Sequence, residues 1–95
     1  MKAYKSLVKF ALANNAKVSV HDGEEWAVKK STKYSDIIEA IESVESAELR
    51  IRDANDEPIG WALIIPDLAD DETVADFTET EFMMMWDERY SKSLA

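Results

Sequence analysis

The chain has 95 residues, with 11 Lys and Arg against 20 Asp and Glu, one His and no Cys, and its net charge is −9. A chain of this length that is 46% apolar can bury one hydrophobic core, so we expect a single domain rather than disorder. The absence of cysteine excludes disulfides, thiolate nucleophiles and thiolate zinc sites. The single histidine removes most of the common catalytic and metal-binding arrangements, so we expect no enzyme, no cofactor and no metal site.

The first half of the chain has the pattern of two helix-hairpin units. Apolar residues at helical spacing predict helices over about 3–14 and 34–45. Alternating residues predict strands at 18–21 and 26–29 around the turn pair Asp22-Gly23. A second pair of strands is expected at 49–52 and 59–65, on either side of a polar loop. The two units, within residues 1–66, resemble each other faintly and could be a tandem repeat.

These elements predict an α+β domain of order α-ββ-α-ββ-α, with a four-stranded antiparallel sheet covered by helices on one face. Strand alternation assigns a set of apolar residues to the covered face: Val18, Val20, Trp26, Val28, Leu49, Ile51, Trp61, Leu63 and Ile65. It assigns the remaining strand residues to the open face: Ser19, His21, Ala27, Lys29, Arg50, Arg52, Ala62 and Ile64.

Residues 67–95 are expected to form an acidic connection and a C-terminal helix of the same domain. Thr78 and Glu81 have the spacing of a capping box, and the helix should present Phe82, Met85, Trp86 and Tyr90 on one side to about residue 91. Because consecutive residues of a helix cannot all face one way, the run Met83-Met84-Met85 should leave Met84 and one neighbour partly exposed. Such adaptable apolar side chains are common on partner-binding surfaces.

Charge is unevenly distributed along the chain. Residues 1–33 have a net charge of +4 and the remaining residues have −13, and residues 66–88 contain nine acidic residues and no basic one. A field of one sign repels nucleic acid and attracts basic surfaces, so direct nucleic-acid binding is disfavoured. Lys29, Arg50 and Arg52 could contact nucleic acid, but we expect the acidic segment or the C-terminal helix to neutralise them.

Two other polar clusters have a plain structural interpretation. His21 and Asp22 are neighbours on a strand end, where side chains point to opposite faces, so we interpret them as exposed turn residues rather than as an acid-base pair. The run Asp53–Glu57 begins like a calcium loop but continues with Pro58, and a polar hairpin loop explains it better. The N-terminal apolar run is interrupted by Lys9, and no uncharged run approaches membrane-spanning length, so we expect a cytoplasmic protein without a membrane partner.

Two short windows carry a resemblance to a known family. Ser35-Asp36-Ile37-Ile38-Glu39 and Trp61-Ala62-Leu63-Ile64-Ile65, followed by Asp67, resemble pieces of the phage uracil-DNA glycosylase inhibitor family. Members of that family are small acidic α/β inhibitors that mimic DNA. The resemblance implies a class, a small acidic phage-encoded inhibitor, and we transfer no target from it.

The leading hypothesis is therefore a non-enzymatic binding protein that inhibits a host nucleic-acid-handling or defence protein by occupying its basic groove. The expected contact residues are Asp67, Asp70, Asp71, Glu72, Asp76, Glu79, Glu81, Phe82, Met84 and Trp86. The alternative hypothesis is a homo-oligomerising scaffold module, such as a homodimer, whose C-terminal Met and aromatic residues form the interface.

Overall fold

The computed structural model describes residues 1–94, in which three helices pack on one five-stranded antiparallel sheet. The helices are α1 (Ala3–Ala13), α2 (Tyr34–Glu42) and α3 (Glu81–Ser93), and a 3-10 turn covers Asp70–Glu72. The strands are β1 (Lys17–His21), β2 (Trp26–Ser31), β3 (Ala47–Arg52), β4 (Pro58–Ile64) and β5 (Val74–Phe77). The α+β class and the antiparallel pairing are confirmed. The expected four strands and the order α-ββ-α-ββ-α are wrong, because a fifth strand precedes the last helix.

The additional strand, β5, lies in the segment that was expected to be only an acidic connection. The strand order is β2-β1-β3-β4-β5, so β5 forms one edge of the sheet and β2 forms the other. Phe77 pairs with Ala62 of β4, and its ring packs edge-on against Trp86 with 5.7 Å between centroids. Val74 and Phe77 both pack against the core and attach this short strand to it.

The core lies between one face of the sheet and the three helices. The strand residues that face the helices are fully buried: Val18, Val20, Leu49, Ile51, Ala62 and Ile64. Each helix adds its own buried stripe, which includes Leu7 and Val8 of α1, Ile37 and Ile41 of α2, and Met83 and Trp86 of α3. Removing these side chains from water is the main favourable term in folding, and it leaves the other face of the sheet uncovered.

The prediction of which residues of β4 face the core is wrong. Register places Ala62 opposite Leu49 and Gly60 opposite Ile51, so Ala62 and Ile64 enter the core. Trp61 lies opposite Arg50 on the open face and is half-buried. Because β4 is apolar on both sides, its alternation does not distinguish the two faces, and only pairing with β3 decides between them.

Of two β-bulges in β2, the one between Val28 and Trp26 moves Trp26 from the expected covered face to the open face. Val18 pairs with Ser31, Val20 with Val28 and His21 with Trp26, so β2 has one extra residue in each interval. Each extra residue reverses the side to which the following residues point. Val28 therefore faces Val20 and the core, whereas Trp26 is 39% exposed.

The helix ends agree with the sequence in part. α1 ends at Ala13, and Asn15 takes the left-handed conformation with φ 61° that stops it. α2 ends at Glu42 rather than at residue 45. α3 is capped by Thr80, whose hydroxyl accepts from the Met83 amide at 3.3 Å, whereas Thr78 accepts from the Trp61 amide. The expected capping box of Thr78 and Glu81 is therefore wrong.

Within residues 1–94, the structure has no helix with the combined length and apolar character needed to cross a membrane.

Candidate functional site: an acidic edge

Seven carboxylates of the segment that contains β5 lie along one edge of the sheet or at its ends. We call this set the acidic edge: Asp67, Asp70, Asp71, Glu72, Asp76, Glu79 and Glu81. All seven residues are exposed, and the ion pairs found among residues 1–94 involve none of them. Their charges are therefore fully available to a partner.

Hydrogen bonds to β4 or to the residue after it fix the backbone of the acidic edge from Thr73 to Thr80. The Ile65 amide donates to the Thr73 carbonyl at 2.8 Å, and the Thr78 amide donates to the Trp61 carbonyl at 3.0 Å. The Thr80 hydroxyl donates to the Ile59 carbonyl at 2.6 Å. From Thr73 to Thr80 the extended chain spans about 23 Å at strand rise. Asp76 and Glu79 are thus held on a fixed frame rather than on a free loop.

Thr73 anchors the 3-10 turn that carries three of these carboxylates. It is fully buried, its hydroxyl accepts from the Tyr4 amide at 3.2 Å, and the same hydroxyl donates to the Asp70 carbonyl at 3.1 Å. The turn is therefore tied to the start of α1, where amide groups lack helical partners. Sequence reasoning missed Thr73, because a lone threonine in an acidic stretch carries no periodic signal.

The carboxylates of this turn affect the pKa of Tyr90 in α3. Burial raises the pKa of its hydroxyl, and the nearby negative charges of Asp71 and Asp70 raise this pKa further. The hydroxyl donates to the Met1 carbonyl at 3.2 Å. The 3-10 turn, the N-terminus and the end of α3 therefore meet at one corner of the molecule.

Some of the apolar residues beside the acidic edge are exposed at the surface, and others are buried in the core. Met84 and Met85 are 46% and 50% exposed, and Phe82 is half-buried. Trp86 is only 3% exposed, and its Nε1 donates to the Ser6 hydroxyl at 3.2 Å. Of the three predicted apolar contact residues, Phe82 and Met84 are accessible to a partner, whereas Trp86 belongs to the core through which α3 packs on its own sheet.

An apolar cavity adjoins the N-terminus of α3. It has a volume of about 340 Å³, and its apolar lining comes from Pro58, Ile59, Phe82 and Met85. Thr80 and Glu81 complete its lining. A carboxylate and an apolar hollow therefore occur side by side, as where the polar rim of an interface adjoins its apolar centre.

His21 and Asp22 support a turn rather than each other. His21 Nδ1 accepts from the Gly23 amide at 3.1 Å, and its ring packs edge-on against Trp26 at 4.9 Å between centroids. The Asp22 carboxylate accepts from the amides of Glu25 and Glu24, which lower its pKa. The arrangement closes the β1–β2 hairpin.

The carboxylates of the chain do not converge on a metal position in the described part. Within residues 1–94, no group of three or more His, Asp or Glu side chains is arranged to hold a metal ion. In the loop before β4, the Asp53 carboxylate accepts from the amides of Asn55 and Glu57 at 2.9 and 3.0 Å. This is a self-contained turn of the kind that Asp commonly forms.

The basic residues of the open face are not neutralised as expected. Within residues 1–94, no ion pair joins Lys29, Arg50 or Arg52 to the acidic edge or to α3. The strand order explains this separation, because β4 lies between β5 and β3, which carries Arg50 and Arg52, and Lys29 lies on β2 at the opposite edge of the sheet. No protein-family model, curated protein or solved structure matches this chain.

Proposed function

We propose that this chain is a small non-enzymatic binding protein that inhibits a nucleic-acid-handling or defence protein by placing its acidic edge in that protein's basic groove. The proposal rests chiefly on one observation: seven exposed carboxylates without ion pairs lie in and on either side of the edge strand β5. The resemblance to DNA-mimic inhibitors implies the same class, a phage-encoded protein that acts in the cytoplasm of its host.

Rigid carboxylates suit this function for two physical reasons. Complementary charge accelerates encounter with a basic surface, and this acceleration falls as salt rises. A preorganised edge also loses little conformational freedom on binding, so more of the interaction energy appears as affinity. Phe82 and Met84 beside the edge add apolar contact that a purely charged surface lacks.

A pair of charge-matched variants tests the proposal. One neutralises the edge with Asp70→Asn, Asp71→Asn, Glu72→Gln and Asp76→Asn. The control neutralises four exposed residues elsewhere: Glu24→Gln, Glu25→Gln, Glu39→Gln and Glu45→Gln. Both variants change the net charge by the same amount, and circular dichroism checks that both fold.

The two variants and the wild type are tagged and used to capture proteins from a nuclease-treated bacterial lysate at low and high salt. The expected result is a nucleic-acid-handling protein that the wild type and the control retain at low salt and that the edge variant loses. The affinity for this protein is then measured directly. Equal affinities of the edge variant and the control would refute the proposal.

A second candidate function, self-association, is favoured by the exposed Met84 and Met85 beside the apolar cavity. The test combines Met84→Glu with Met85→Glu and measures the sedimentation coefficient. Trp86 is unsuitable for this test, because truncating a buried Trp costs about 3–5 kcal/mol and would unfold the helix contact. A shift from dimer to monomer supports self-association, and a wild type that is already monomeric at high concentration excludes it.

A further inference from the structure

A small pocket on the open face of the sheet collects basic side chains around a tryptophan. The pocket has a volume of about 200 Å³, and we call the residues that line it the basic pocket: Ser19, Trp26, Lys29, Lys30, Arg50 and Arg52. Ser19 of β1 forms the bottom of the pocket, because its short side chain lies between longer side chains of the neighbouring strands β2 and β3. The Arg50 guanidinium lies 5.9 Å from the centre of the Trp26 ring.

The bulges of β2 build this pocket. One residue separates Val18 from Val20 on β1, whereas two residues, Lys29 and Lys30, separate their partners Val28 and Ser31 on β2. Lys30 takes the left-handed conformation, with φ 48°, and its amide donates to the Ser19 hydroxyl at 2.8 Å. Left-handed backbone is costly for a lysine and is found mostly where the surrounding structure needs it. Here it brings two consecutive lysines to the same pocket.

Three cations of the open face, Lys17, Lys29 and Arg50, have no ion pair in the part of the chain that the structure describes. Arg50 instead lies over the Trp26 ring, as Lys9 and Arg89 lie over aromatic rings on the helical side. The charges of these three open-face residues are therefore not neutralised by a carboxylate within 4 Å.

One carboxylate, Asp56, stands at the rim of the pocket. It accepts from Lys30 Nζ at 2.8 Å, and its carbonyl accepts from Arg52 Nη1 at 2.9 Å. The Lys30 hydrogen bond lowers the pKa of Asp56, and the charges of Lys30, Arg52 and Lys17 lower it further. Glu48 is a second carboxylate on the open face, two residues before Arg50 on β3. The four cations that line the pocket outnumber these two carboxylates, so net positive charge remains for a ligand.

The field of the acidic edge is weakened by distance at the pocket. From β5, the strand β3 with Arg50 and Arg52 is two strand spacings or about 10 Å away, and β2 is four spacings or about 19 Å away. These distances are about one and two Debye lengths at physiological salt, so the charges of the edge are partly screened at β3 and largely screened at β2. The net charge of −9 therefore does not describe what a ligand meets on this face.

We propose that the open face binds single-stranded nucleic acid, with an unpaired base stacked on Trp26 and its phosphate held by the basic pocket. Trp61 lies opposite Arg50 on the side away from the pocket and provides a second stacking surface. Lys17 lies opposite Arg52 and extends the positive charge beyond the pocket. A ligand that uses all three regions is longer than one nucleotide, and its bases must be unpaired to stack. This proposal departs from the expectation drawn from net charge, and it is independent of the acidic edge.

The test measures fluorescence anisotropy of a labelled single-stranded oligonucleotide of about 12 nucleotides, a length that one small binding module covers. The variant pair is Arg50→Gln with Lys29→Gln, against the control Arg89→Gln with Lys33→Gln, which removes the same charge from the helical side. Measurements at about 50 and 200 mM salt give the slope of log affinity against log salt.

The pocket variant should bind more weakly and lose about 1.4 from the salt slope, or about 0.7 for each phosphate contact, whereas the control should keep the wild-type slope. Trp26→Ala should weaken binding at least about fivefold through lost stacking. Asp56→Asn should tighten binding, because it removes the carboxylate that competes for Lys30 while Asn tolerates the left-handed backbone found there.

Three results would overturn the proposal: no binding of the oligonucleotide at the lower salt, equal losses in the pocket and control variants, or tighter binding of a duplex of the same length. The edge variant described above should bind the oligonucleotide at least as tightly as the wild type. This result separates the present proposal from the proposed function, because each can fail without the other.

Discussion

The contact between Gly60 of β4 and Met83 of α3 determines how closely the C-terminal helix docks on the sheet. A methyl group on Gly60 would lie 2.6 Å from the Met83 sulfur and 2.8 Å from its Cγ. Met83 is fully buried and has little room to move away. Overpacking of a core costs about 1–3 kcal/mol, and removing a strand-interior glycine returns about 0.5–1 kcal/mol. Gly60→Ala should therefore destabilise the protein by about 1 kcal/mol.

The effect of the same substitution should reverse when Met83 is shortened. Met83→Ala alone should cost about 3 kcal/mol, within the range for truncating a buried Met. The vacated space then accepts the methyl group on residue 60 without a clash, and its burial adds about 0.8 kcal/mol. In this background Gly60→Ala should stabilise the protein by at least about 1 kcal/mol, and the coupling energy between the two sites should be about 2 kcal/mol.

Urea unfolding of the wild type, both single variants and the double variant, followed by far-ultraviolet circular dichroism, measures this cycle. Met84→Ala is the control, since it makes the same change in the same helix at a residue that is 46% exposed. It should change the free energy of unfolding by less than about 0.5 kcal/mol and leave the effect of Gly60→Ala unaltered. If Gly60→Ala destabilised the wild type and Met83→Ala equally, the docking contact would not be the one described.

Two further predictions concern hydrogen bonds at the start of α1. Thr73→Val keeps the shape of the side chain but leaves the Tyr4 amide and the Asp70 carbonyl without their partner, so urea unfolding should show a loss of about 1–3 kcal/mol. Thr73→Ser should recover most of it, and equal losses would contradict the hydrogen-bond role. Burial and the hydrogen bond to Glu42 raise the pKa of Tyr4 in the folded chain. The unfolded phenol ionises near pH about 10, so stability should fall as pH rises beyond that value, by up to about 1.4 kcal/mol per pH unit for this group. Tyr4→Phe should flatten this fall in urea titrations, and identical slopes in both proteins would show that Tyr4 does not cause it.

The elements with a strong internal period were predictable from sequence. The spacing of Tyr4, Leu7, Val8 and Ala11 gave α1 almost to its ends, because only one side of that helix is apolar. The hairpin β1–β2 followed from Asp22-Gly23 between two alternating segments, and Gly23 has φ 102° in the turn. The accessible carboxylates of the acidic edge were likewise visible as a run without bases.

The remaining features depend on pairing partners, which one strand cannot report. β5 has only four residues, and Val74 and Phe77 are separated by Ala75 and Asp76, so it shows no alternation. Trp61 and Ala62 could each have faced the core until pairing with β3 fixed the register. At such positions tertiary contacts, rather than local propensity, decide whether a residue is in a strand and which face it takes.

The basic pocket was out of reach of sequence reasoning for a more specific reason. A regular strand would send Lys29 and Lys30 to opposite faces, and it would place Trp26 on the same face as Val28. The two bulges reverse both expectations, and the sequence of β2 does not predict them. The left-handed conformation is taken by Lys30, whereas Gly or Asn would be the usual sequence signal for it.

Strand order converts the charge asymmetry of the sequence into a separation in space. The basic first third of the chain supplies β1 and β2, and the acidic last third supplies β5, which is four strands away from β2. If β2 and β5 were neighbours, their charges would pair and neither surface would be available. The two proposals therefore use different parts of one sheet, the β5 edge and the open face of β2, β1 and β3, and predict opposite outcomes. Neutralising the acidic edge should weaken capture of a protein partner and leave oligonucleotide binding intact, and neutralising the basic pocket should do the reverse. A variant that lost both activities would indicate an unfolded protein rather than a lost contact.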